Sequence, residues 1–155
     1  MKLLIRLHLL STVAVMLGAA LTCAAEPEFS LDLKMQHDTF KIGSAMPGTL
    51  TYTNLSPKSM DVYSDRGGDA HRSGYLIELR DANGKNVTPT IEGSVFVGFP
   101  AWRTLSPRET MDYSLDLSKL YQIGQPGTYT VWAHVLDQKS KSEVKSNSAT
   151  VTVTK

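Results

Sequence analysis

Cysteine is almost absent from this 155-residue chain, in which the single example is Cys23 near the N-terminus. One cysteine cannot form a disulfide within the chain, and residues 26–155 contain no thiol nucleophile and no thiolate metal ligand. The folded part must therefore be stabilised by its core alone. Since secreted eukaryotic domains of this size commonly carry a disulfide, the absence favours a bacterial periplasm or exterior.

An excess of one charge is also missing. Once Lys2 and Arg6 are set aside with the leader described below, 14 Lys and Arg oppose 15 Asp and Glu, and residues 26–155 carry a net charge of −1. Such a balance gives no electrostatic footprint for nucleic acid and no polybasic membrane anchor. We therefore expect neither a nucleic-acid partner nor a membrane span.

The common catalytic motifs are absent as well. The chain has no His-Glu-x-x-His segment, no Gly-x-Ser-x-Gly elbow and no phosphate-cradling Gly-rich loop that ends in Lys-Ser/Thr. A dispersed Ser–His–Asp site cannot be recognised in a linear sequence. Because these motifs are missing, we expect no enzymatic activity and no cofactor.

The N-terminal 25 residues have the pattern of a secretory signal peptide. Lys2 and Arg6 supply the positive start, the apolar run of residues 9–21 is too short to span a bilayer comfortably, and Ala24-Ala25 suits cleavage before Glu26. We expect an exported protein, periplasmic or extracellular, whose residues 26–155 form a single domain. Cys23 permits an alternative as a lipoprotein anchor, but the preceding Ala20-Leu21-Thr22 matches lipoprotein signals poorly.

Alternation of apolar and polar residues dominates the rest of the chain, and no long helical pattern appears. Asp81-Ala82-Asn83-Gly84 is typical of a hairpin loop, in which Asn83 and Gly84 are expected to take positive φ angles. We predict an all-β fold, an antiparallel β-sandwich of about seven to nine strands. The predicted strands are 29–35, 49–53, 60–63, 75–80, 87–91, 95–99, 111–117, 129–135 and 149–153.

The segment before residue 131 makes the prediction more specific. Residues 118–121 can form one helical turn capped by Ser118, Pro126-Gly127 breaks the chain, and Tyr129 opens the next strand. This is where an immunoglobulin-like sandwich has its tyrosine corner, a Tyr hydroxyl bonded back to the connection before its strand. Matching segments are LSPRE at 105–109, LDLSKLY at 115–121, PGTYTV at 126–131 and SNSATVTV at 146–153.

With these segments the chain resembles bacterial immunoglobulin-like modules. It is similar to the non-catalytic sandwich of some deuterolysin-like peptidases and, loosely, to stand-alone proteinase-inhibitor sandwiches. The resemblance implies an immunoglobulin-like fold with Tyr129 as a structural residue. It implies little about function, because this scaffold hosts many unrelated roles.

Four side chains are candidates for partner binding. If Tyr129 and Val131 face the core, Trp132 and His134 lie on the other face of the same strand, unless a loop covers Trp132 or a bulge shifts the register. Phe96 and Trp102 lie in an aromatic segment, and whether they are exposed stays open. An exposed Trp can anchor a protein or a sugar ring.

Metal ligands are the weaker candidates. Asp65, Asp69 and His71 lie in a Gly-rich loop, where solvated Asp–Arg pairs are the simpler interpretation. His37 near Met35 suggests copper, although Met35 also continues an inward-facing apolar series.

We therefore expect a non-enzymatic binding module whose partner is an unidentified protein or envelope polymer, met by an edge strand or the aromatic positions. The alternative is a small proteinase inhibitor with a bait loop at 64–73 or 93–103. A metal-handling module around His37 and His71 is a third hypothesis.

Mass spectrometry of the protein recovered from its host tests the leader. We expect a mature chain that begins at Glu26. A diacylated N-terminal Cys23 would show instead that the chain is a lipoprotein, and an intact Met1 would contradict cleavage of the leader.

Overall fold

The computed structural model describes residues 26–65, 74–90, 100–137 and 141–155. Among them are ten β-strands and one helical turn. The elements are β1 (Phe29–Met35), β2 (Thr39–Lys41), β3 (Pro47–Asn54), β4 (Met60–Asp65), β5 (Leu76–Asp81), β6 (Pro100–Leu105), β7 (Thr110–Asp116), α1 (Leu117–Leu120), β8 (Gly127–Leu136), β9 (Glu143–Lys145) and β10 (Ala149–Thr154).

The strands form two main sheets. One has the order β1-β3-β7, and the other has the order β2-β10-β8-β5, with β9 also paired to β8. Every pairing is antiparallel except that of β2 with β10. This arrangement corresponds to strands A, B and E in one sheet and C, F and G in the other, which is the order of immunoglobulin domains. The chain is thus an immunoglobulin-like β-sandwich, as the sequence predicts.

The core lies between these sheets because the alternating strands turn one side inward. Strand β1 shows the pattern most clearly, since every second residue from Phe29 to Met35 is buried. Burying one such side chain stabilises the fold by about 1.5–3 kcal/mol. The opposing sheet contributes Ile77, Leu79, Tyr129, Val131, Ala133, Val151 and Val153.

Strands β4 and β6 form a separate two-stranded ribbon that continues the β3–β7 pair beyond a bend. The fully buried Asn54 lies at this bend. Its Nδ2 is within 2.9–3.1 Å of the carbonyl oxygens of Lys58, Leu105 and Ser106, and its Oδ1 accepts the Ser56 N–H at 2.8 Å. One side chain therefore ties together the turns that precede β4 and follow β6.

The last strand of the sandwich is interrupted by a bulge. Strands β9 and β10 pair with the same edge of β8, and residues 146–148 separate them. The Ser146 Oγ accepts the Ala133 N–H at 2.9 Å and so replaces a ladder partner that the bulge removes. The Asn147 amide accepts the Leu33 N–H at 2.6 Å and donates to the Leu33 carbonyl at 3.0 Å.

The predicted corner residue makes a bond of the expected kind. The Tyr129 hydroxyl donates a hydrogen bond to the Gln125 carbonyl at 2.7 Å. The helical turn before it is capped differently from the prediction, because Asp116 rather than Ser118 is its N-cap. The Asp116 carboxylate accepts the Ser118 N–H at 3.1 Å and the Met46 N–H at 2.9 Å.

The hairpin after β5 also differs from the prediction. Only Gly84 has a positive φ, +77°, and its N–H donates to the Asp81 carbonyl at 2.9 Å. This is a type I turn followed by a left-handed glycine, which needs no positive φ at Asn83. The Asp81 carboxylate stabilises the turn by accepting the Asn83 and Lys85 N–H groups, both at 2.9 Å.

The return strand predicted at 87–91 is wrong for its described part. Residues 86 and 89 make only isolated bridges, to Arg80 and Tyr121. Pro89 has no N–H to donate to a ladder, and Thr90 donates to the Leu120 carbonyl at 2.8 Å instead of pairing with β5. The apolar stretch 95–99 lies outside the described residues.

Gly48 tests how tightly β1 packs on β3. A Cβ at this position would lie 2.8 Å from the Met35 Sδ and 3.1 Å from the Lys34 carbonyl oxygen. We expect Gly48→Ala to lower the free energy of unfolding by about 1–3 kcal/mol, because the added methyl group overpacks this site. Urea denaturation measures the change.

Gly124→Ala is the matched control, since a Cβ at Gly124 would meet no atom within 4 Å. We expect it to leave stability unchanged or slightly raised. Equal midpoints for Gly48→Ala and the unmodified protein would contradict the packing described here.

Candidate functional site

The largest cluster of interacting side chains described outside the core lies on the outer surface of β5, β8 and β9. We call this surface the β5–β8–β9 face. The strand register places Leu76 and Lys145 on either side of His134, Glu78 beside Trp132, and Glu143 beside Leu136. The face consists of Leu76, Glu78, Arg80, Trp132, His134, Leu136, Glu143 and Lys145.

Trp132 is half-buried, and a cation covers its ring. The Arg80 guanidinium carbon lies 4.9 Å from the ring centroid, a cation–π arrangement. The Arg80 side chain is held from both sides, since its Nε donates to the Asn86 Oδ1 at 3.0 Å and its Nη2 lies 3.6 Å from the Glu78 carboxylate. Trp132 therefore faces outward, but Arg80 occupies one side of its ring.

His134 connects the three strands of the face. Its Nε2 lies 3.0 Å from the Glu78 carboxylate, and its Nδ1 contacts the Glu143 carboxylate. The Lys145 ammonium lies 3.1 Å from the other Glu143 oxygen. Hydrogen bonds from Lys145 and then His134 lower the pKa of Glu143. The charged groups of the face are thus paired with one another.

Two leucines on this face are open to solvent. Leu76 is 57% exposed and Leu136 is 52% exposed. Leu76 also borders an open groove of about 320 Å³ along the outer edge of β5, which Val87, Pro89 and Tyr121 line from the other side. These two leucines are the apolar groups that the face exposes among its paired charges.

Backbone pairing with an added strand is blocked at several edge positions. On the β5 edge, the Ile77 carbonyl accepts the Tyr121 hydroxyl, and the Leu79 carbonyl accepts the Val87 N–H at 3.0 Å. On the β1 edge, Asn147 engages both backbone groups of Leu33. The expected edge-strand route is therefore closed at these residues.

The other aromatic candidates lie elsewhere. Trp102 belongs to β6 and is 69% exposed, and its ring meets that of Tyr63 edge-on at 5.6 Å. Phe96 lies outside the described residues. The structure therefore brings Trp132 and His134 together on one strand and places Trp102 on the separate β4–β6 ribbon.

The three candidate metal ligands lie in or beside a part of the chain that the structure does not describe. Asp69 and His71 lie outside the described residues, as does the side chain of Asp65. Among the residues that are described, no three His, Cys, Asp or Glu side chains could together hold a metal ion. His37 is exposed against Phe40, whereas Met35 is buried in the core.

Most of the two candidate bait loops lies outside the described residues. Residues 66–73 and 91–99 lie outside the described parts of the chain, while residues 100–103, the end of the second proposed loop, belong to strand β6. In the described ranges no helix is long and apolar enough to cross a membrane.

Sequence reasoning missed most of the β5–β8–β9 face. It singled out Trp132 and His134 but not Glu78, Arg80, Glu143 or Lys145, which contact them. Their alternation along β5 and β9 is visible in the sequence, but the register that sets each beside its partner is not.

Some solved structures are similar to this chain, all at low sequence identity. No protein-family model and no curated protein sequence matches the chain. The CARDB domain of a Pyrococcus furiosus protein is 12% identical with a TM-score of 0.44, covering 83% of this chain and 89% of that domain.

Two larger proteins contain a similar part. A Listeria innocua β-glucosidase is 15% identical with a TM-score of 0.43, and 81% of this chain matches 16% of the enzyme. A Pseudomonas fluorescens alkylpurine DNA glycosylase is 12% identical with a TM-score of 0.45, and 83% of this chain matches 31% of it. At these TM-scores the similarities carry no information about function.

The two tryptophans of the chain allow a direct test of this geometry. Trp132→Phe leaves Trp102 as the only indole, and Trp102→Phe leaves Trp132. We expect acrylamide to quench the fluorescence of Trp102 more strongly, because its ring is exposed while Arg80 covers that of Trp132. Equal Stern–Volmer constants would contradict the assignment.

Proposed function

We propose that this chain is an exported binding module without catalytic activity, and that the β5–β8–β9 face recognises a protein partner. The observation that supports the proposal is the pair of exposed leucines, Leu76 and Leu136, among charges that are already paired. Burying those leucines in a complex gains hydrophobic free energy.

The pairing of the charges favours a protein over a charged polymer. The face carries Glu78 and Glu143 as well as Arg80 and Lys145, so it attracts no polyanion or polycation strongly. The same intramolecular pairs hold the long side chains in place, which reduces the entropy lost on association. Trp132 contributes area but no free stacking platform on the side where Arg80 lies.

Export and the lack of catalysis are parts of the same proposal. Residues 1–25 support export through their signal-peptide pattern, and the missing catalytic motifs support a binding role. The sequence resemblance to an accessory sandwich of deuterolysin-like peptidases agrees with a non-catalytic module. The resemblance to inhibitor sandwiches would make the partner a protease.

Site-directed photocrosslinking in the native host tests the protein-binding surface. A photoreactive amino acid at position 76 or 136 should give one shared crosslinked protein, identified by mass spectrometry. The same group at Thr110, exposed on the other sheet, should not capture that protein. Adding Leu136→Asp to the position-76 variant should abolish the product, because a carboxylate cannot be buried without a partner.

Three results would overturn the proposal. They are no crosslinked product from either position, equal capture from position 110, and an unchanged product after Leu136→Asp. Far-ultraviolet circular dichroism of each variant verifies that the sandwich remains folded. Since Leu136 is exposed, we expect its substitution to leave the core intact.

A further inference from the structure

We propose that the outer surface of the β4–β6 ribbon is a carbohydrate-binding site that stacks a pyranose ring on Trp102. The register pairs Trp102 with Tyr63 and, one row further along, Thr104 with Asp61. All four side chains lie on the same side of the ribbon, since residues two apart on a strand point the same way. This site is centred on other strands than the β5–β8–β9 face, although Leu136 of that face lines a groove with Asp61 and Tyr63.

The aromatic part of the site is the solvent-exposed indole ring of Trp102. Trp102 is the most exposed large hydrophobic residue described, at 69%. Tyr63 meets it edge-on, with an interplanar angle of 71° and a centroid distance of 5.6 Å. Such an edge-to-face contact is a favoured geometry for two aromatic rings. It orients the indole while leaving most of its surface open, unlike the Arg80-covered ring of Trp132.

The polar part of the site is a neighbouring hydrogen-bonded pair. The Thr104 hydroxyl donates to the Asp61 Oδ1 at 2.6 Å, and both side chains are exposed. A carboxylate has about four acceptor sites, so Asp61 can accept further hydroxyl groups, and the Thr104 oxygen can accept one too. Rows on one strand are about 6.6–6.8 Å apart. That spacing allows one sugar unit to stack on Trp102 while hydroxyl groups at its edge reach the pair.

The surroundings of Trp102 favour a sugar over a protein partner. The other exposed large hydrophobic residues described are Ile42, Leu55, Leu76 and Leu136, and none belongs to β4 or β6. Of these, Leu136 lines a groove together with Asp61 and Tyr63 of β4. Within the described parts of β4 and β6, an exposed indole lies beside a carboxylate–hydroxyl pair, which matches the apolar face and hydroxyl edge of a pyranose.

Titration of defined oligosaccharides tests the proposal. The probes are the hexaoses of β-1,4-linked N-acetylglucosamine, β-1,4-linked glucose and α-1,4-linked glucose, together with purified peptidoglycan sacculi. We use the Trp132→Phe protein, in which Trp102 is the only indole. A bound sugar should change the fluorescence of that indole and protect it from acrylamide.

Variants separate stacking from general effects. Trp102→Ala should weaken binding of the active probe roughly tenfold or more, measured by calorimetry, and Asp61→Asn should weaken it less. Trp102→Phe should retain part of the affinity, because a smaller ring still stacks. Leu76→Asp should leave sugar binding unchanged, because Leu76 does not line the groove that Leu136 shares with Asp61 and Tyr63. A variant that loses the protein partner but keeps the sugar therefore separates failure of one site from failure of the other.

The proposal is overturned if none of the four probes alters Trp102 fluorescence or produces heat. It is equally overturned if binding survives Trp102→Ala, or if a photoreactive group at position 102 captures a protein while every carbohydrate fails. Because Trp102 is exposed, we expect its substitutions to fold normally, and thermal unfolding of each variant verifies this.

Discussion

The side-chain amide of Asn147 links the two sheets that enclose the hydrophobic core. It engages both backbone groups of Leu33 in β1, although Asn147 itself follows β9 in the opposite sheet. The side chain reaches β1 because residues 146–148 form a bulge, and Ser146 replaces the ladder partner lost there. The same bulge sets the register of β9, which places Lys145 beside His134. The bulge that brings Asn147 to β1 therefore also helps to assemble the charged part of the β5–β8–β9 face.

Polar side chains make similar links at the ends of the other sheet. The side-chain amide of Asn54 joins the turns that flank β4 and β6. Because it bonds the Leu105 carbonyl at the end of β6, it helps to fix the strand that carries Trp102. Asp116 links Met46 to the start of α1. Burial raises the pKa of this carboxyl, but hydrogen bonds from Met46 and Ser118 outweigh it, so the pKa lies below its usual range. Neutral pH keeps this link charged, and it is lost only as pH falls through that lowered pKa.

The predictability of each element from sequence follows from its length and environment. Strands β1, β7 and β10 were predicted because one side of each is buried, which produces a period-two pattern over six or seven residues. Strands β2 and β9 have three residues each, too few for a pattern. Strand β6 opens with Pro100-Ala101, which indicates a loop when read alone. The partners of Trp132 and His134 come from β5 and β9, and only the folded register brings them together.

The two tryptophans show why residue type alone does not define a binding site. Both lie on outward-facing positions of strands, yet Arg80 covers one ring, whereas the other meets Tyr63 in a T-shaped contact and stays exposed. The first indole is part of a preassembled face in which charges are paired with one another. The second exposes its ring to solvent beside the hydrogen-bonded pair of Thr104 and Asp61. Tyr121, Val87 and Asn147 already occupy backbone groups on the edges of β5 and β1, and both proposed sites accordingly use side-chain surfaces.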